Sequence, residues 1–281
     1  MDISLGLEGH LVVVTGASGH IGKVIVDAFL AAGSNVACLD IKAHDSSIQH
    51  QLLHRIEVDI AKEHAVRDAW KEAQKHFGGK VPTICVCAAG LDLSYINHHQ
   101  SIADMPVEQF RRTLDVNTTG TFITAKTWLK CIRDSLDADT QLRSTLHNVS
   151  LIIVGSEAGV LGVPGNADYA ASKSAIQYGL TMSLAPEAAR IFEQARVNAV
   201  APGAVDTPQF KREYDAAPTA LWIDAEATVA SKKPVHMEHI ARTCLMLASD
   251  NYSGSTTGQV VRVDGGKNGR MYWERDGRAM W

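Results

Sequence analysis

Leu11-Val-Val-Val-Thr15, followed at once by Gly16-Ala-Ser-Gly19-His-Ile-Gly22, decides the fold of this chain. The first five residues form a short apolar, largely β-branched run, as a strand buried on both faces requires. The glycine stretch leads into an amphipathic segment, Val24 to Ala32, that stops at Gly33. Strand, glycine turn and helix in that order aim backbone N–H groups and a helix dipole at a pyrophosphate. Glycine is needed because a Cβ would block the tight turn or the close approach of a cofactor. The next strand, Asn35-Val-Ala-Cys-Leu-Asp40, ends in an acid about 20 residues after the loop, where a ribose diol is expected. Asp40 can accept from both ribose hydroxyls, and a 2′-phosphate would remove one donor and add repulsion. NAD(H) is therefore expected to be preferred, with NADP(H) possible because Lys42 and His20 lie near enough in sequence to meet a phosphate.

Strands and helices alternate onward from this unit. Further strands are predicted at Arg55–Asp59, Thr83–Cys87, Leu151–Val154, Val197–Val200 and Gln259–Val263. Helices are predicted at about 62–77, 107–135, 167–193 and 237–248. The pattern specifies an α/β fold: a Rossmann-like, doubly wound parallel sheet of about seven strands with helices on both faces. No repeat or low-complexity linker divides it, so residues 1–281 are expected to form a single dinucleotide-binding catalytic domain. Ligands in such sheets bind beyond the carboxyl ends of the strands. Pro186 lies inside the helix predicted at 167–193 and is expected to kink it, at ~3 kcal/mol unless the helix yields.

Tyr169-Ala-Ala-Ser-Lys173 places a phenol and an ammonium one turn apart on a helix face. An ammonium beside a phenol favours phenolate, so the Tyr169 pKa is expected to fall from ~10 toward working pH. That arrangement makes a general acid/base for hydroxyl–carbonyl interconversion. The motif alone is weak; its weight comes from Ser156 upstream, at the end of a strand, and Asn117 in the helix before that.

The composition is that of an ordinary soluble globular protein, with 46% apolar and 21% charged residues. A net charge of −4 makes nucleic acid and anionic membrane poor partners. No apolar run approaches the ~20 residues of a membrane span, and no signal peptide is read before the first strand, so a cytoplasmic protein is expected. Five scattered cysteines (Cys38, Cys85, Cys87, Cys131, Cys244) read as buried free thiols, with Cys85 and Cys87 taken to face opposite ways on one strand. His98-His99, with His44, His50 and His54 nearby, lacks ligand spacing and a carboxylate cluster, and reads as a polar surface loop. No metal is expected.

Taken in order, these motifs resemble the short-chain dehydrogenase/reductase family over nearly the whole stretch from Leu11 to Gly266. The resemblance implies a catalytic tetrad of Asn117, Ser156, Tyr169 and Lys173. It implies cofactor contacts from Thr15, Gly16, Ser18, Gly19, His20, Ile21 and Gly22 in the loop, from Asp40, and from Asp59 and Ile60 at the adenine. Ala89, Gly90, Asn117, Tyr169 and Lys173 follow, then Pro202, Gly203, Val205 and Thr207 on the nicotinamide side; Asp264-Gly-Gly266 matches a C-terminal signature. By the same resemblance Tyr169 passes the proton, Lys173 holds the ribose, Ser156 orients the substrate oxygen, and Asn117 anchors a water. The spacing Thr15-Gly16-x-x-Gly19-x-x-Gly22 departs from the compact branch, whose C-terminal half the chain otherwise fits. Cys87 and Ala88 replace a frequent asparagine, and residues 134–147 look like a surface extension.

The implied reaction is hydride transfer between a nicotinamide cofactor and a secondary alcohol or ketone. Residues 207–235 lack regular patterning and carry Phe210, Tyr214, Leu221, Trp222 and Ile223, as a lid over a hydrophobic, ring-containing substrate would. The aromatic tail, residues 267–281, could cap a neighbouring subunit's pocket or seal an oligomer interface. The resemblance implies a homo-dimer or homo-tetramer built on the helices that bear Asn117 and Tyr169. Two rivals remain: a non-redox cyclase or isomerase using the same tetrad, and a non-catalytic cofactor-sensing binding protein.

Overall fold

The computed structural model describes residues 3–42 and 50–280. Its strands are β1 (Leu11–Thr15), β2 (Asn35–Asp40), β3 (Leu53–Glu57), β4 (Ile84–Cys87), β5 (Ser150–Val154), β6 (Arg196–Pro202) and β7 (Val260–Val263). All pair in parallel, in the order β3-β2-β1-β4-β5-β6-β7. The strand order reverses between β1 and β4, which opens a crevice at their carboxyl ends. The helices are α1 (His20–Ala31), α2 (Glu63–His76), α3 (Val107–Leu114), α4 (Gly120–Ala138), α5 (Ala158–Leu161), α6 (Ala167–Ser174) and α7 (Thr181–Ile191). After β6 come α8 (Pro208–Ala216), α9 (Pro218–Trp222), α10 (Met237–Ala248) and α11 (Asp250–Ser253).

Period-two alternation in the strands divides the core into two layers. Leu11, Val13, Ala37, Leu39, Leu151 and Ile153 point toward α2, α4 and α7, where Trp70, Trp128 and Ala188 meet them. Val12, Val14, Val36, Ile84 and Ile152 point the other way, against Ile25 and Phe29 of α1 and Ile240 and Cys244 of α10. Each such side chain stabilises the fold by ~1.5–3 kcal/mol through burial alone. Cys85 and Cys87 lie in the same layer, with their sulfurs 3.9 Å apart, which corrects the expectation of opposite faces. Two residues along a strand is one full period, so i and i+2 share a face. Among the described residues no cluster of three or more His, Cys, Asp or Glu is arranged for a metal; His44 lies outside them.

Other boundaries also move. The third strand starts and ends two residues early, leaving Asp59 in the loop beyond it. The helices predicted at 107–135 and 167–193 each carry a π-helical turn, Asp115–Thr119 between α3 and α4 and Ala175–Leu180 between α6 and α7. α7 runs on through Pro186 rather than breaking there. Pro186 and Met182, four residues back, are both exposed, so water can replace the missing bond. The segment predicted to be irregular forms α8, capped by Thr207, whose Oγ1 accepts the Phe210 N–H at 3.0 Å, then α9. The aromatic tail folds onto this region of its own chain: the Tyr272 N–H donates to the Ala227 carbonyl at 2.7 Å and Trp273 Nε1–H to the Val229 carbonyl at 3.0 Å.

Candidate active site

The crevice end of β1 is shaped by glycines that nothing larger could replace. Gly16 has φ +69°, and a Cβ there would lie 2.6 Å from the Ala89 backbone. A Cβ on Gly22 would lie 2.0 Å from the Gly16 carbonyl oxygen. Thr15 Oγ1 accepts the Ala89 N–H at 3.3 Å, tying β1 to the loop after β4. Gly19 precedes the first turn of α1, so the N–H groups of His20, Ile21 and Gly22 belong to an open helix start. Asp40, largely buried at the tip of β2, accepts the Ser18 N–H at 2.9 Å and the Lys42 N–H at 3.0 Å. The carboxylate therefore braces the loop and keeps further lone pairs for a diol. These features fit a dinucleotide: a tight turn, backbone donors for phosphate and an acceptor for ribose.

The remaining predicted contacts ring the same crevice. Asp59 Oδ1 accepts the Ala61 N–H at 3.0 Å, and Ile60 packs where a Cβ on Gly120 would be, at 2.6 Å. Gly90 lies beneath the tetrad, since a Cβ there would be 3.0 Å from Asn117 Oδ1 and 3.7 Å from Lys173 Nζ. On the other side Pro202 ends β6 and Gly203 follows it, Val205 pairs with Val235, and Thr207 starts the helical segment above.

Asn117, Ser156, Tyr169 and Lys173 converge here. Asn117 is fully buried within its π turn; Oδ1 accepts the Leu91 N–H at 2.7 Å, and Nδ2 donates to the Leu91 carbonyl and to Ser172 Oγ, both at 3.0 Å. Its side chain thus anchors the loop after β4. Lys173 Nζ donates to the Val154 carbonyl at 3.0 Å and lies 5.7 Å from the centre of the Tyr169 ring. Burial pushes the Tyr169 phenol up to about 12, with a hydrogen bond to Ser156 acting the other way. The expected fall does not occur, because loss of water around the phenolate outweighs what its neighbours return. Burial likewise lowers Lys173 to about 8, against the pull of Asp92.

Sequence reasoning missed four residues around this centre. Gln177 is fully buried, and its Oε1 accepts the Ser156 N–H at 2.9 Å. Asp92, in the loop after β4, sets a charge near both Lys173 and Tyr169. Glu157, next to Ser156, is buried and paired with Lys267 at 2.8 Å. Burial raises its carboxyl to about 7, with the ammonium opposing. Gln177 stands four residues after Lys173 on the same helix, a spacing that was readable; the Glu157–Lys267 pair spans 110 residues and had no local signal. His98 and His99 lie at the crevice edge, where the His99 N–H donates to the Gly165 carbonyl at 3.2 Å and His98 Nδ1 is 2.8 Å from Asn166 Oδ1.

A glycine-turned dinucleotide crevice beside a Ser–Tyr–Lys centre defines a nicotinamide-dependent oxidoreductase. The chain belongs to the short-chain dehydrogenase/reductase family: residues 16–268 match the family model described as enoyl-(acyl carrier protein) reductase. It is 30% identical over 268 residues to a 2,5-dichloro-2,5-cyclohexadiene-1,4-diol dehydrogenase of Sphingobium indicum, covering 92% of this chain and 97% of that one. It is also 30% identical to 3beta-hydroxysteroid dehydrogenase 1 of Eggerthella lenta, covering 92% and 94%. Among solved structures, the ligand-free aldohexose dehydrogenase of Thermoplasma acidophilum superposes with a TM-score of 0.75 at 26% identity, covering 92% and 94%. The dehydrogenase names of these relatives favour redox chemistry over the cyclase and sensor readings. No helix among the described residues is long and apolar enough to cross a membrane.

Proposed function

We propose that the protein interconverts a hydrophobic, ring-containing secondary alcohol and its ketone, using NAD(H) in preference to NADP(H). The observation that carries this reading is the convergence of Ser156, Tyr169 and Lys173 on one crevice whose far end presents the Asp40 carboxylate. The nicotinamide, when bound, supplies or accepts the hydride. Tyr169 gives or takes the proton at the substrate oxygen, and Ser156 hydrogen-bonds that oxygen and orients it. Lys173 stabilises the phenolate and holds ribose hydroxyls, and Asn117 keeps the Leu91 loop in place beside them. Gly16, Gly22 and the first turn of α1 take the pyrophosphate. Phe210, Tyr214 and Trp222 support an apolar pocket under residues 207–235 acting as a lid, and two relatives are named for ring-bearing substrates. The aldohexose relative is the counterexample that an assay must address.

The test is a panel of cyclic alcohols, steroids and sugars with each oxidised cofactor, followed by nicotinamide absorbance. Tyr169→Phe is expected to cut turnover by ~10²-fold or more while leaving cofactor affinity nearly unchanged. Asp40→Ala is expected to narrow the NAD(H)/NADP(H) ratio of kcat/KM, which in the native chain should be ~10- to 150-fold, the scale of one hydrogen bond to a charged group. A native preference for NADP(H), or sugars outperforming cyclic alcohols, would overturn the corresponding part of the reading. A cytoplasmic homo-oligomer belongs to the same proposal, supported by the exposed Phe122 of α4 and Met182 of α7.

A further inference from the structure

Three ionic side chains, far apart in sequence, meet behind Ser156. Lys267 follows the Asp264-Gly-Gly266 turn and is only 8% exposed. Its Nζ donates to Glu157 Oε1 at 2.8 Å, to the Asp224 carbonyl at 2.9 Å, and to Asp224 Oδ1. All three ammonium protons are thus used, which makes the contact directional as well as electrostatic. Glu157 belongs to the turn that carries Ser156, and its N–H is held by the Pro202 carbonyl at 2.8 Å. Asp224 lies in the π-helical turn Ile223–Ala227, the far end of the segment formed by α8 and α9. Among the described residues the other Glu157 oxygen has no hydrogen-bond partner, and it faces the Gly203 backbone, where a Cβ would be 3.0 Å away. The remaining charges facing the carboxylate are Asp224 and Asp264; Asp264 is itself paired with Arg262.

A lysine buried this deeply costs free energy unless its position matters or its partners fully compensate. We propose that Lys267 is a positioning residue that fastens the end of the lid to the Ser156–Glu157 turn, so that lid placement and the substrate-oxygen anchor are set together. The link rests on the reading of residues 207–235 as the lid of an alcohol/ketone site. Its consequence is specific: loosening it weakens substrate capture, while the pyrophosphate and adenosine end of the cofactor crevice, built from β1, β2 and the α1 start, is untouched. Tyr272 and Trp273 dock on Ala227, the last residue of the same turn, and on Val229 just beyond it, so the tail is attached to the lid at the point Lys267 secures.

The experiment uses the full chain with Lys267→Met, Lys267→Arg and Asp224→Asn. Asp224 is half exposed, which keeps the last variant foldable. Hydrogen exchange of the free protein at fixed pH is expected to accelerate about tenfold or more in residues 208–227 of Lys267→Met and Asp224→Asn, the scale of a lost charge-assisted hydrogen bond, with β1 and β5 amides unchanged. On the best alcohol of the panel KM should rise several-fold, with kcat and cofactor Kd both changed much less, and Lys267→Arg should recover part of the loss. Unchanged lid exchange in both variants, or acceleration spread evenly over the sheet, would overturn the proposal. Exchange is read without substrate, so inactivity of the native chain on every alcohol would count against the proposed reaction and leave the lid measurement decisive for the link.

Discussion

Gln177 occupies the space between two glycines, at either of which a side chain would collide with it. A Cβ on Gly155 would lie 2.2 Å from its Oε1, and one on Gly159 would lie 2.7 Å from its Nε2. Gln177→Leu removes the acceptor of the Ser156 N–H and is expected to cost ~1–3 kcal/mol in thermal unfolding, with a fall in kcat at unchanged cofactor Kd. Gln177→Glu, which keeps the acceptor, should retain more activity, and equal losses in the two variants would remove the hydrogen bond as the cause. Asp92 tests the proton chemistry at the same scale. Its charge opposes the burial that lowers Lys173 to about 8. Asp92→Asn should therefore move the alkaline limb of kcat/KM to lower pH, because Lys173 loses its proton sooner. A limb that stays in place would show that another group governs it.

At the scale of elements, the strands were legible because burial on both faces leaves an apolar, β-branched run that a sequence displays directly. The glycine turn was legible for a steric reason that also makes it testable. Gly22→Ala drives a methyl into the Gly16 carbonyl, 2.0 Å away, and backbone cannot yield as a flexible side chain would. Loss of stability of at least ~1–3 kcal/mol, seen in thermal unfolding, and loss of cofactor binding by fluorescence titration are expected together. The two π turns at Asn117 and around Gln177 were not legible. Their extra residue leaves the apolar period nearly intact, and only contacts with other elements select the wider turn. The helices after β6 were hidden for a related reason: α8 and α9 are short and largely exposed, so no apolar stripe marks them.

The whole molecule responds to pH through Glu157. Its folded value of about 7 lies above the 4.5 ordinary for a glutamate, so between these the unfolded chain releases a proton that the folded chain keeps. Stability contributed by this group is present below ~4.5 and is lost as pH rises toward 7. Glu157→Gln removes the effect, so its unfolding temperature relative to the native chain should climb across that window and level off above it. A flat difference would place the carboxyl's folded value near its unfolded one. Assembly is the other property at this scale: Phe122→Glu with Met182→Glu is expected to give a monomer by light scattering at micromolar concentration, where the native chain should be a dimer or tetramer.

Local and near-neighbour information determined the sheet, the glycine crevice, the Tyr169–Lys173 pair and the family, because each rests on spacing within one strand, turn or helix. It misassigned what depends on environment. The Tyr169 phenol is raised rather than lowered, since desolvation is a property of everything packed around it. The shared layer of Cys85 and Cys87 is a different case, since the strand period alone already required it. The contacts of Asn117 with Leu91, and of Tyr272 and Trp273 with Ala227 and Val229, join segments that no spacing along the chain pairs. The Lys267 link joins residues from three separate parts of the chain. Only folding brings those charges together and removes the water around them, and no pattern along the sequence records that distance.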